Sequence, residues 1–176
     1  WTGQVGPGES DTMKARAWIP AAAATLAAAA SGCIDTDAAV FVEPAIAAPE
    51  ATVSATALGT SLEARFTLQL HLGARASGPS RVAVRTFEIA SADQTTSIVA
   101  PLPVETTTSL PVEVAPGSDV TVAFSVDTSA GGGTLPGDAA AALCAAEGIR
   151  ITGAIEDSLE DGATPVASEV FHARCP

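Results

Sequence analysis

The chain has 176 residues, a net charge of −12, and a 47% hydrophobic share in which aromatics are scarce. That length suits one core and is short for two, and the apolar share excludes disorder throughout. The acidic balance excludes nucleic acid as a partner, because phosphate binding is driven by Lys and Arg, and it argues against electrostatic docking on anionic lipid.

Residues 1–12, WTGQVGPGESDT, have no periodicity and read as an upstream extension outside the fold. Residues 13–33, MKARAWIPAAAATLAAAASGC, follow a different plan. Lys14 and Arg16 make a short basic start, residues 17–32 carry no charge, and small residues precede Cys33. This is the layout of an export signal. As a helix the uncharged run would rise about 24 Å, short of a hydrocarbon core of about 30 Å, and Pro20 weakens it further. The end of the segment, Ala30-Ser31-Gly32-Cys33, resembles the lipobox of bacterial lipoproteins. The resemblance implies a signal peptide over 13–32, a diacylglycerol thioether on Cys33, cleavage after Gly32 and acylation (commonly palmitate) of the new amino group. Two or three chains at about 0.8 kcal/mol per buried methylene hold a protein on a membrane stably. The alternative is an ordinary signal peptide cut after Ala28-Ala29-Ala30.

Residues 33–50 read as a tether, with Asp35 and Asp37 solvating it and Val40-Phe41-Val42 forming a short first strand. The domain proper is expected over 51–176. Leu62, Ala64, Phe66, Leu68, Leu70 and Leu72 share one face, and Glu63, Arg65, Thr67, Gln69 and His71 the other. Period two held this long predicts a half-buried antiparallel strand, long enough to demand a bend or an overhanging end. In RVAVRTFEI, Val82 and Val84 keep one phase and Phe87 and Ile89 the other, so a bulge or a change of sheet is expected near Arg85-Thr86. Residues 97–105, with Pro101 and Pro103, suit a sheet edge. Two alternating runs flank Pro116-Gly117 and predict a hairpin or a tight strand–strand corner with Gly117 at positive φ. Gly131-Gly132-Gly133 reads as a flexible loop. The alanine-rich stretch near 138–147 predicts one short helix, capped by Asp138 and ended by Gly148. Residues 149–157 and 165–175 read as the last strands.

Seven or eight short strands separated by turn signals predict an all-β fold, an antiparallel β-sandwich. The stretch LPVEVAPGSDVTVAFSV resembles Ig-like and fibronectin-III-like modules of bacterial secreted proteins, which implies an Ig-like architecture. The chain has no tyrosine, and both tryptophans precede Cys33.

The chain has three cysteines. If Cys33 carries lipid, Cys144 and Cys175 remain and can pair in an oxidising compartment. Chain entropy assigns about 3–4 kcal/mol to such a closure. Glu156, Asp157, Glu160 and Asp161 gather hard oxygen ligands and form a candidate weak calcium site, with a solvated Asp-Gly hairpin as the alternative. His71 and His172 lack spaced partners for zinc, and no nucleophile-elbow motif occurs. No cofactor and no catalytic residue is expected. The leading expectation is a lipid-anchored envelope lipoprotein, facing periplasm or exterior, whose β-sandwich binds or scaffolds an unidentified envelope protein or glycan. The alternatives are a hydrolase or enzyme accessory with a loop-built site, and a plain secreted binding protein.

Overall fold

A computed structural model describes residues 38–57, 59–130 and 134–176. The expectations for residues 1–37, including Cys33, and for the Gly131–Gly133 loop lie outside the described residues. Eight strands and one helix are described: β1 (Glu43–Thr56), β2 (Gly59–Leu72), β3 (Ser80–Ser91), β4 (Ser97–Leu102), β5 (Val112–Val114), β6 (Ser118–Asp127), α1 (Gly137–Ala145), β7 (Ile149–Asp157) and β8 (Ala163–Ala167). One sheet runs β1-β2-β6 and the other β4-β3-β7-β8, with β5 also pairing β3. All strand pairs are antiparallel. The chain crosses between sheets after β2, back after β5 and again after β6, which makes an antiparallel all-β sandwich.

The β2 alternation translates directly into burial. Leu62, Ala64, Phe66, Leu68, Leu70 and Leu72 are all buried, while Glu63, Arg65 and Gln69 are exposed. β1 pairs this strand from Gly59 to His71, and β6 pairs it from Glu63 to Leu72. Phe66 meets Phe87 across the sandwich and Phe124 on the adjacent strand of its own sheet, and the three rings have centroids 4.8 to 5.2 Å apart. Edge-to-face and offset contacts of this kind add about 0.5–1.5 kcal/mol per pair beyond the area they bury.

Four sequence expectations are decided or changed in the folded chain. Val40–Val42 form no strand, and the first strand begins at Glu43, inside the stretch read as tether. Its apolar residues change phase, Ile46 on one parity and Ala51 and Val53 on the other, across a register shift between Ala47 and Glu50. Ala48 adopts φ 47° at that shift. The irregularity puts both sets on the core side while erasing the period in the sequence. Second, Pro116-Gly117 is the tight strand–strand corner, one of the two arrangements expected, and not the hairpin. β5 pairs Ser80–Val82 of β3, and β6 pairs β2 in the other sheet. Gly117 takes φ 71°, and Ser118 N–H donates to Ala115 O at 3.1 Å, a type II turn.

Third, α1 spans Gly137–Ala145, and Asp138 lies in its first turn rather than capping it: Pro136 is the N-cap, with no side-chain cap bond. Gly148 does not end the helix. A Cβ there would sit 2.5 Å from Val170 Cγ1, so a larger residue would oblige Val170 to move. Fourth, the last strand stops at Ala167. The tail beyond it crosses the sandwich edge. Phe171 exchanges backbone hydrogen bonds with Ile149 at 2.9 and 3.0 Å, and Arg174 with Ala51 and Val53 at 2.8 Å each. Other expectations hold. β4 is an edge strand, and β3 carries one extra residue against β7 between Val84 and Phe87.

Candidate functional site

The outer face of the β4-β3-β7-β8 sheet carries a groove of about 940 Å³. Its floor is Thr86, Glu88, Thr152 and Ala154, which alternate with buried Phe87, Ile89, Ile151 and Ile155. Local sequence explains the depression. The extra residue of β3 displaces the strand at Arg85-Thr86, and Gly153 stands opposite Phe87. A Cβ on Gly153 would approach the Phe87 ring to 2.4 Å. Ala154 and Ala167 leave low relief on the neighbouring strands, and Pro101 and Pro165 line the margins.

The charged groups of the groove are held. Glu88 accepts from Ser97 Oγ at 2.7 Å and from Thr152 Oγ1 at 3.2 Å. Arg85 Nε donates to Glu156 Oε1 at 2.8 Å. The groove's lining contains neither histidine nor cysteine. A second concavity, of about 520 Å³, lies on the outer face of the three-stranded sheet and is lined by residues including Glu50, Arg65, Glu105, Thr107, Ala123 and Ser125.

The four candidate calcium ligands do not converge on one point among the described residues. Glu156 and Asp157 are consecutive in β7, so their side chains take opposite faces. Glu156 turns outward to Arg85, while Asp157 is 4% exposed and turns in. Its Oδ2 accepts the Val42 N–H at 2.6 Å, and its Oδ1 accepts the Ser80 hydroxyl and, at 2.8 Å, the Leu159 N–H. Glu160 accepts from Thr164 Oγ1 at 3.0 Å, and Asp161 is exposed. Among the described residues no group of three or more His, Cys, Asp or Glu side chains is placed to hold a metal ion. Sequence reasoning treated Asp157 as a loop carboxylate. In the fold it joins the chain entering β1 to the start of β3 and the turn after β7.

Cys144 and Cys175 form a disulfide with Cα atoms 5.9 Å apart, tying the tail to α1. The histidines are placed separately. His71 is the penultimate residue of β2, with Nδ1 2.8 Å from Asp119 Oδ1, and His172 is exposed in the tail beside β7. Two surface aspartates have carboxyls held below the usual range. The Ser91 hydroxyl, then the Thr95 N–H and hydroxyl, stabilise the charged form of Asp93, and the Ser129 hydroxyl and N–H do the same for Asp127. Both are turn-forming contacts of the Asx type and lie outside the groove.

Among the described residues no helix is long and apolar enough to cross a membrane. Comparison with known proteins finds no family model that matches the chain and no curated protein similar to it.

Proposed function

We propose that the protein is a bacterial envelope lipoprotein, anchored through acyl chains on Cys33 and displaying an Ig-like sandwich as a binding or scaffolding module. The observation that carries the reading is cysteine use. Of the three cysteines, Cys144 and Cys175 are joined to each other, and the remaining one follows Ala30-Ser31-Gly32 at the end of an uncharged apolar run. A disulfide suits an oxidising compartment, which an export signal would reach. The short stretch between Cys33 and Val42 would then serve as tether, ending where Asp157 holds the Val42 N–H. The groove on the β4-β3-β7-β8 face is the surface this reading assigns to a protein or glycan ligand.

The test is metabolic labelling in a bacterial host with an alkyne analogue of palmitate. The wild-type chain takes the label and partitions into the detergent phase of a cloud-point extraction, whereas Cys33→Ala does neither. A labelled Cys33→Ala chain, or an intact mass showing an unacylated Cys33 thiol at the processed amino terminus, overturns the proposal.

A further inference from the structure

We propose that the open edge of β6 docks an extended, basic segment of a partner protein, which adds to the three-stranded sheet as a fourth strand. The inference is independent of whether Cys33 carries lipid.

β6 is last in the order β1-β2-β6. Its register with β2 is unbroken from Ser118 to Asp127, so alternate residues keep a constant sense along the strand. Ser125 turns its N–H and C=O away from β2, where they meet Glu105 at 2.9 and 2.7 Å. By the same parity Asp119, Thr121 and Ala123 turn theirs outward. Among the described residues no backbone segment pairs with those three. The Glu105 bridge shows that this edge accepts antiparallel pairing, and the pairing stops there. An unpaired row of this kind is a template for strand addition.

The other edges are blunted. The tail covers β1 at Ser168 and Arg174, Pro101 interrupts β4, and Pro165 interrupts the short β8. β6 contains no proline.

The surroundings select the occupant. On the inner side an added strand lies beside half-buried Val120, which favours an apolar side chain. On the outer side it lies beside Asp119, whose Oδ1 meets His71 Nδ1 while its carboxylate stays largely exposed, and it reaches the 520 Å³ concavity, where Glu50 and Glu105 outnumber Arg65. Opposite charges across a strand pair are favourable and like charges are not. The favoured occupant therefore alternates apolar and basic residues. A second copy of the chain, itself carrying a net charge of −12, does not meet that description.

The test uses the full chain and three labelled hexapeptides: Lys-Val-Lys-Val-Lys-Val, its Glu-Val counterpart, and the Lys-Val peptide N-methylated at the alternate amides that would face β6. Fluorescence anisotropy reads binding, and hydrogen exchange reads the Thr121 and Ala123 amides. The Lys-Val peptide is expected to bind and slow both amides. N-methylation should weaken it by about tenfold or more, since each edge hydrogen bond is a substantial part of so small an interface. Thr121→Pro should weaken it comparably, and the Glu-Val peptide should not bind. Equal binding of the N-methylated or Glu-Val peptide, or unchanged exchange at Thr121 and Ala123 under saturating Lys-Val peptide, overturns the proposal. Protection that rises with protein concentration in the absence of peptide assigns the edge to a second copy and overturns it as well. The peptide comparison needs no variant of the protein and decides the matter even where Thr121→Pro fails to fold.

Discussion

Replacing Asp157 by Ala probes the junction at which the chain enters the sandwich. The carboxylate accepts from Val42 N–H, Ser80 Oγ and Leu159 N–H. Val42 is 2% exposed and Ser80 is fully buried, so two of these donors have little access to water once the acceptor is gone. Leaving a buried donor unsatisfied costs about 1–3 kcal/mol, and a hydrogen bond to a charged acceptor contributes about 1.5–3 kcal/mol. The three bonds share one side chain and do not add fully. The expected loss is therefore about 3–5 kcal/mol, a large share of a domain stability of about 5–15 kcal/mol. Asp157→Asn keeps one acceptor oxygen and should lose about 1–2 kcal/mol. Urea unfolding followed by circular dichroism measures both, with the midpoint falling at constant slope. In a double-mutant cycle with Ser80→Ala, the coupling should exceed about 0.5 kcal/mol, since the two side chains touch. A loss below about 1 kcal/mol for Asp157→Ala would refute the reasoning, for it would mean that water reaches the donors and the carboxylate joins nothing.

Three further outcomes follow from named contacts. Replacing both Cys144 and Cys175 by Ser opens a closure of 31 residues separation; the chain-entropy model gives a loss of about 3–4 kcal/mol, read as a lowered melting temperature that added reductant reproduces in the wild type and leaves unchanged in the variant. Gly153→Ala drives a methyl into the Phe87 ring that Phe66 and Phe124 hold in place; overpacking of this kind costs about 1–3 kcal/mol, and an unchanged urea midpoint would show that the ring yields freely. Carbon-detected NMR titration should find the Asp93 and Asp127 carboxyls below the ordinary aspartate range, and Ser129→Ala should move Asp127 back toward it. Because both folded values are depressed, their contribution is present above the unfolded-state value and is lost as pH falls through the folded one; a titration at the ordinary value for both would sink the account.

The two-residue period of β2 made its buried face legible before any partner was known, and the phase slip in β3 located its bulge to within a residue. Both are local signals: side-chain direction alternates along any extended strand, whatever lies next to it. The alternation of β1 was illegible because a bulge reverses its phase midway and alanine marks burial only weakly. The groove was illegible for a different reason. Thr86, Glu88, Thr152 and Ala154 are ordinary outward positions of two strands far apart in sequence, and only pairing places them side by side.

By itself the sequence determined the sandwich class and the pairable cysteines, since these rest on strand alternation and on cysteine count. Tertiary structure alone decided that Pro116-Gly117 turns a corner between sheets and that Asp157 faces inward to Val42 and Ser80. It likewise decided that the tail lies along the β1 edge and that, among the described residues, the outer edge of β6 is paired at Ser125 by Glu105 and not at Asp119, Thr121 or Ala123. Those outcomes depend on which distant backbone supplies the hydrogen-bond partner, and the free energy of that choice belongs to the assembled sheets rather than to any one segment.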